Sequence, residues 1–221
     1  MIDINKWVSR YTDAVKERFG ERVWLIGLQG SYGRGEAAET SDIDVVLILD
    51  AVSYKDLTAY SKLLDSLPDR DKVCGFISGK PELEAWEKSD LFQFCHDTTP
   101  ICGSLDELLQ TIGESDVKRA VKAGACNLYH ACVHNAVHEK SCDLLKELYK
   151  SAAFTLQAIA YLQTGVFERK QGKLSALLSP DEQKILEKRL LVKERGIVSD
   201  DEFAQLSALL IRWSSKWILE W

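Results

Sequence analysis

The sequence lacks the features of a membrane-bound or exported protein. It contains no run of about 18 apolar residues, the length that a membrane-spanning helix requires. The first residues, 1–6, lack the basic and then apolar pattern of a secretory signal. Low-complexity segments are also absent from the 221 residues. We therefore expect a compact cytoplasmic protein with no membrane partner.

Neither paired cysteines nor a basic stripe is present. The six cysteines include no Cys-x-x-Cys spacing, so in a reducing compartment most of them are expected to be buried thiols. Lysine and arginine are interleaved with acids, and the formal net charge is −6. A protein that binds a nucleic-acid backbone usually shows a basic stripe. The composition thus argues against a nucleic-acid partner and favours a cationic or neutral small molecule.

What the chain does contain is a compact pattern in residues 30–48. The apolar run 22–28 before it predicts a strand that is covered on both faces. Gly30 then allows a tight turn and a close approach of the backbone to a ligand. Ser31 offers a hydroxyl and an N–H to a phosphate oxygen. Arg34, flanked by glycines, can donate two parallel hydrogen bonds to a phosphate.

Two carboxylates open the next predicted strand. Asp42 and Asp44 alternate with Ile43, and the apolar run 45–49 that follows predicts a buried strand. Because residues i and i+2 of a strand point to the same face, both carboxylates should project together beside the glycine turn. Carboxylates in this arrangement hold hard divalent cations against a nucleotide, and we expect two Mg²⁺ ions.

A Gly-Ser turn followed by Asp-x-Asp resembles the signature of the polymerase-beta-like nucleotidyltransferase superfamily. The likeness is greatest to its small bacterial members, the aminoglycoside-type and minimal nucleotidyltransferases, although Gly33 stands where their consensus has alanine. The resemblance implies catalytic and metal-binding roles for Asp42 and Asp44. It places the nucleotide contacts at Gly30, Ser31, Arg34 and Ser41. It further implies transfer of a nucleoside monophosphate, with ATP as the expected donor, to a hydroxyl of a small molecule and release of pyrophosphate.

The family also has a third carboxylate on a later strand, and the predicted strand 72–78 contains no acid. If that acid serves as general base, another residue must replace it. We consider Asp71 at the start of the strand, Glu82 and Glu84, which follow it, and Glu139, on a predicted helix farther along, as candidates for this acid. The missing acid leaves a non-catalytic nucleotide-binding sensor open as an alternative. The likeness to the minimal nucleotidyltransferases leaves a second one open, an antitoxin-type enzyme that adenylylates a protein.

Possible metal ligands recur every four residues along one predicted helix. This Cys/His stripe consists of Cys126, His130, His134, His138 and Cys142. A four-residue step drifts about 40° around a helix, so neighbours could share an ion but all five could not. Three interpretations stay open: a structural metal, a packed helix face, or contact of His134, Asn135, His138 or Glu139 with the acceptor.

The chain as a whole predicts an α+β fold with two domains. A nucleotidyltransferase core, a mixed sheet flanked by helices, is expected over residues 1–104, and an all-helical, substrate-binding C-terminal domain over 105–221. Residues 91–95 are predicted to form a short strand. The last helix, from about residue 200, carries an apolar stripe at helical spacing. Such a stripe is typical of a buried core or of a dimer surface, which leaves a homodimer open.

Overall fold

The computed structural model describes residues 2–220 and divides into two compact units, Met1–Ile112 and Gly113–Trp221. The first unit extends beyond the predicted boundary at residue 104 because Leu105 and Leu108 are buried in a cluster with residues of its sheet. Those two apolar side chains belong to the core of the first unit.

A four-stranded mixed sheet forms the centre of the first unit. Its strands are β1 (Val23–Leu28), β2 (Ile43–Leu49), β3 (Val73–Gly79) and β4 (Thr99–Cys102). They lie in the order β3-β2-β1-β4. β1 pairs antiparallel with β2 and with β4, whereas β3 runs parallel to β2. The predicted mixed sheet is confirmed.

Helices of the first unit connect and cover these strands. They are α1 (Ile4–Phe19), α2 (Gly30–Arg34), α3 (Tyr54–Asp65), α4 (Lys80–Glu84), α5 (Lys88–Asp97) and α6 (Asp106–Leu109). Residues 91–95 lie inside α5, so the strand predicted there was wrong. Leu91, Phe92 and Cys95 are all buried, and their spacing of one, three and four residues is that of a helix face.

The sheet is buried on both faces by two separate apolar clusters. The first cluster packs α1 and α3 against one face, with Tyr11 of α1 bonded to Tyr60 of α3 through their hydroxyls at 2.8 Å. The second cluster packs residues from α4, α5 and α6 against the other face. Alternate residues of β2 enter the two clusters: Ile43 and Val45 enter the first, and Val46 enters the second. β2 is therefore covered on both faces, which confirms the buried strand predicted there.

The described part of the second unit is helical, as expected. Its helices are α7 (Glu114–His134), α8 (Cys142–Thr164), α9 (Gln171–Leu174), α10 (Pro180–Arg195) and α11 (Asp200–Glu220). A π-helical turn, Asn135–Glu139, continues α7. α7 packs on α8 and α11, and α8 on α10. The apolar stripe of α11 is buried, and the Tyr149 hydroxyl of α8 donates to the carbonyl of Leu206 at 3.0 Å.

The six cysteines differ from the expectation of mostly buried thiols, which was wrong. Cys95 and Cys132 are buried, and burial raises the pKa of their thiols to about 12 and about 11. Three others are exposed, namely Cys74, Cys126 and Cys142. Among residues 2–220, no helix has the length and apolar character needed to cross a membrane.

Candidate active site

The glycine turn after β1 lies directly against a carboxylate of β2. The Gln29 N–H donates to the carbonyl of Asp44 at 2.8 Å, which extends the β1–β2 ladder by one residue. Gly30 follows with a φ of 63°, in the left-handed region that favours glycine. A Cβ built on Gly30 would overlap the Oδ2 atom of Asp44. The turn can therefore approach this carboxylate only because residue 30 has no side chain.

The two aspartates lie at the start of β2, where the sequence predicted them. Asp42 immediately precedes the strand and is exposed, whereas Asp44 is its second residue and is half-buried. Ile43 between them enters the first apolar cluster. Because side chains alternate along a strand, Asp44 points to the opposite face from Ile43, the face on which the second cluster lies. The structure brings Gly30 and Asp44 together and leaves Asp42 beside them at the surface.

Arg34, which the sequence predicted to bind a phosphate, is already paired with carboxylates of the protein. Its Nη1 atom donates to Oδ1 of Asp97 at 3.0 Å, and its Nε atom donates to Oε2 of Glu36 at 3.4 Å. The other oxygen of Asp97 accepts the Gly30 N–H at 3.4 Å. Asp97 thus holds two of the donors that a phosphate group would use, and it fixes Arg34 against the turn.

Asp97 is the site residue that sequence reasoning missed. It is the last residue of α5 and only 9% exposed, and it reaches the turn because β4, which follows it, pairs with β1. The sequence offered one usable signal: an acid that follows Leu91, Phe92 and Cys95, whose spacing is that of an apolar helix face. Predicting a strand over residues 91–95 concealed that signal.

The two serines of the motif have different surroundings. Ser31 is the second residue of α2, and its carbonyl accepts the N–H of Glu36 at 2.8 Å. Ser41 turns its hydroxyl towards its own loop, where the Oγ atom accepts the N–H of Ala38 at 2.9 Å. In the structure, Ser41 shapes the loop that delivers Asp42 to the strand.

The register of β3 corrects the prediction that Glu82 or Glu84 acts as a base. β3 runs parallel to β2 and pairs Cys74 with Asp44 and Gly79 with Leu49. Both glutamates lie in α4, beyond Gly79. Five strand residues separate that end of the sheet from Asp44, about 16 Å at 3.3 Å per residue. The structure therefore does not bring either glutamate to the carboxylate pair. Asp71 is exposed and lies just before β3, at the end of the sheet where β2 begins.

The remaining candidates lie in the second unit. His134 ends α7, Glu139 ends the π-helical turn, and both are exposed. The rings of His134 and His138 lie 4.7 Å apart, centroid to centroid, and those of His130 and His134 lie 6.4 Å apart. Within residues 2–220, however, no group of three or more His, Cys, Asp or Glu side chains is arranged to hold a metal ion.

Two sequence comparisons match part of this chain to known proteins. The family model described as a nucleotidyltransferase domain matches residues 8–89. MJ1379 of Methanocaldococcus jannaschii, a candidate protein adenylyltransferase, is 32% identical over 73 residues, which make up 33% of this chain and 68% of that protein.

One solved structure extends the comparison to the helical part. Spectinomycin adenyltransferase AAD(9) from Enterococcus faecialis, solved with ATP and spectinomycin, superposes with a TM-score of 0.54 at 15% identity. The match covers 93% of this chain and 98% of that one. At this identity the match shows the fold alone, and it confirms an α+β core followed by a helical region.

Proposed function

This chain belongs to the polymerase-beta-like nucleotidyltransferase family, and on that premise we propose that it transfers adenylate from ATP to a hydroxyl of a small molecule. The observation that carries the proposal is the close approach of the Gly30 turn to the carboxylate of Asp44. This geometry supports the proposal because nucleotidyl transfer requires donors to a phosphate next to a ligand for a divalent cation, and the turn and Asp44 would supply them.

The carboxylates fit magnesium by their chemistry. Mg²⁺ is commonly held through one or two carboxylates together with the phosphates of a substrate, and it prefers oxygen ligands. Asp42 and Asp44 would supply those oxygens. When bound, magnesium neutralises the charge that develops on the triphosphate and helps to align the reacting groups.

The protein's own groups would bind and orient the triphosphate. The hydroxyl of Ser31 is suited to donate to a phosphate oxygen, and the N–H of Gly30 would do so in place of its contact with Asp97. Arg34 would join them when its guanidinium is shared between Asp97 and a phosphate. The acceptor oxygen then forms a bond to the α-phosphorus while the bond to pyrophosphate breaks, and holding the two in line supplies much of the rate enhancement.

We assign acceptor binding to the helical unit. AAD(9), whose structure was solved with spectinomycin, has a comparable helical region, which supports a hydroxylated small molecule as the acceptor class. The net charge of −6 favours a cationic or neutral acceptor over an anionic one. His134 and Glu139 are the side chains that we would test for acceptor contact.

Protein adenylylation is a second candidate function. The relationship to MJ1379 favours it, because that protein is named for this activity. The match spans only 33% of the chain, so it gives no account of the helical unit.

A pyrophosphate-release screen tests these functions. The protein is mixed with Mg²⁺ and each nucleoside triphosphate in turn, over a panel of aminoglycosides, lincosamides and other hydroxylated small molecules. We expect release with ATP and at least one member of the panel. Transfer of adenylate from ATP to a protein, with none to a small molecule, would favour the second candidate. Tight ATP binding with no release for any acceptor would favour a nucleotide sensor.

A further inference from the structure

An exposed cysteine lies where the parallel strands β2 and β3 meet at the carboxylate pair. Cys74 is the register partner of Asp44, and adjacent strands are about 4.8 Å apart. Val73 packs against the first apolar cluster, as do Ile43 and Val45 on β2. Side chains alternate along both strands. Cys74 and Asp44 therefore both point to the face opposite the first cluster.

Gly75, the next residue of β3, fixes the register of β3 against β2. Gly75 has a φ of 142°, and a Cβ built on it would overlap the carbonyl oxygen of Val45. The backbones of the two strands are therefore in close contact one residue beyond the Cys74–Asp44 pair. A slip of β3 by one residue would also turn Val73 and Ile77 away from the first cluster, into which both pack. Position 74 is consequently fixed beside Asp44.

We propose that Cys74 occupies the position from which a carboxylate would complete the magnesium site, so that the natural chain binds magnesium triphosphate but transfers adenylate slowly. This inference rests on the proposed function. Two carboxylates suffice to hold one Mg²⁺ with a triphosphate, but a second ion needs further oxygen ligands. A cysteine sulfur is a soft ligand that magnesium does not favour.

The same position bears on the proton that transfer releases. The acceptor hydroxyl loses its proton as its oxygen bonds to the α-phosphorus. Pyrophosphate departs with the electron pair of the phosphorus–oxygen bond that breaks. Glu82 and Glu84 are at the far end of β3, so neither can receive that proton beside Asp44. A carboxylate at position 74 would receive it directly, and a placed base typically adds about 10²–10⁴-fold.

The test compares Cys74→Asp and Cys74→Glu with Cys74→Ser. The two acids differ in length, so one can fit where the other does not, and serine replaces the thiol without adding charge. Cys126→Glu adds the same charge at an exposed cysteine of the helical unit and serves as the matched control. Thermal melts verify that each variant is folded.

The readouts are magnesium-dependent binding of a non-hydrolysable ATP analogue and pyrophosphate release with the acceptor found in the screen. In at least one acid variant we expect magnesium to bind more tightly, because it gains an oxygen ligand, and turnover to rise by about a hundredfold or more. Cys74→Ser and Cys126→Glu should behave like the natural protein.

Two outcomes would overturn the inference: folded acid variants with unchanged magnesium binding, or loss of turnover in Cys74→Ser, which would show that the thiol itself acts. Failure of the proposed function looks different. In that case no variant releases pyrophosphate with any acceptor, and tighter magnesium binding by the acid variants still supports the assignment of position 74.

Discussion

The two compact units of this chain carry their candidate functional side chains in different ways. In the first unit, Gly30 and Asp44 are held by backbone geometry: a left-handed turn on one strand meets a carboxylate on the next. In the second unit, His134 lies at the end of α7 and Glu139 at the end of the π-helical turn that continues it, and both are exposed. In the proposed function, nucleotide binding would therefore depend on a few positions fixed by the backbone, whereas the acceptor contacts would be spread over helix surfaces.

The largest expected effect comes from the carboxylate pair. Asp44→Asn removes a charge that cation binding requires, so we expect it to abolish both turnover and magnesium-dependent ATP binding while the fold is retained. Asp42→Asn should behave in the same way. Asp13→Asn, at an exposed position of α1, is the control for loss of an acidic charge. Pyrophosphate release and calorimetric titration give the two readouts. Full activity in Asp44→Asn would remove this residue from the proposed site.

Gly30→Ala should have the next largest effect. The left-handed backbone at residue 30 should lower the free energy of unfolding by roughly 1–2 kcal/mol. In addition, the new Cβ would displace the carboxylate of Asp44, so ATP affinity should fall by about tenfold or more. Gly35→Ala is a matched control, since residue 35 has a φ of 69° but no atom within 4 Å of a built Cβ. It should lose stability without losing ATP affinity. Equal ATP affinities in the two variants would contradict the close approach.

A smaller effect is expected at Asp97. Asp97→Asn weakens the pair with Arg34, whose side chain is only 17% exposed, so we expect the free energy of unfolding to fall by about 1–3 kcal/mol. ATP should bind more weakly because Arg34 is no longer fixed against the turn. Glu36→Gln, at the longer and more exposed contact with Arg34, should change both quantities less. Chemical denaturation and ATP titration measure them. Tighter ATP binding in Asp97→Asn would show instead that this acid competes with phosphate.

The smallest effects should come from the second unit. His134→Ala and Glu139→Gln each remove at most a hydrogen bond to the acceptor, worth about 1 kcal/mol, so KM for the acceptor should rise roughly fivefold. ATP binding should not change. Steady-state kinetics with varied acceptor makes the measurement. A loss of ATP affinity in either variant would erase the contrast between the units.

The parts of this molecule that the sequence predicted are those fixed by neighbouring residues. The Gly30 turn, the Asp42–Asp44 pair and the apolar run of β2 lie within twenty residues of one another, and their alternation and turn chemistry can be read locally. The helix over residues 4–19 was likewise predictable from its spacing.

What could not be predicted depends on long-range pairing. Asp97 reaches Gly30 only because β4 pairs with β1, and Cys74 meets Asp44 only because β3 runs parallel to β2 in one register. Residues 91–95 show the other limit, since a short apolar run alone does not distinguish a strand from a buried helix face.

The central claim is that adenylate, rather than phosphate, moves from ATP to a small-molecule hydroxyl. The most direct test incubates the protein and its acceptor with ATP labelled either at the α-phosphorus or at the γ-phosphorus. We predict that the α-label appears on the acceptor, that the γ-label appears only in pyrophosphate, and that neither moves in Asp44→Asn. Appearance of the γ-label on the acceptor, or α-label transfer by Asp44→Asn at the natural rate, would contradict the account.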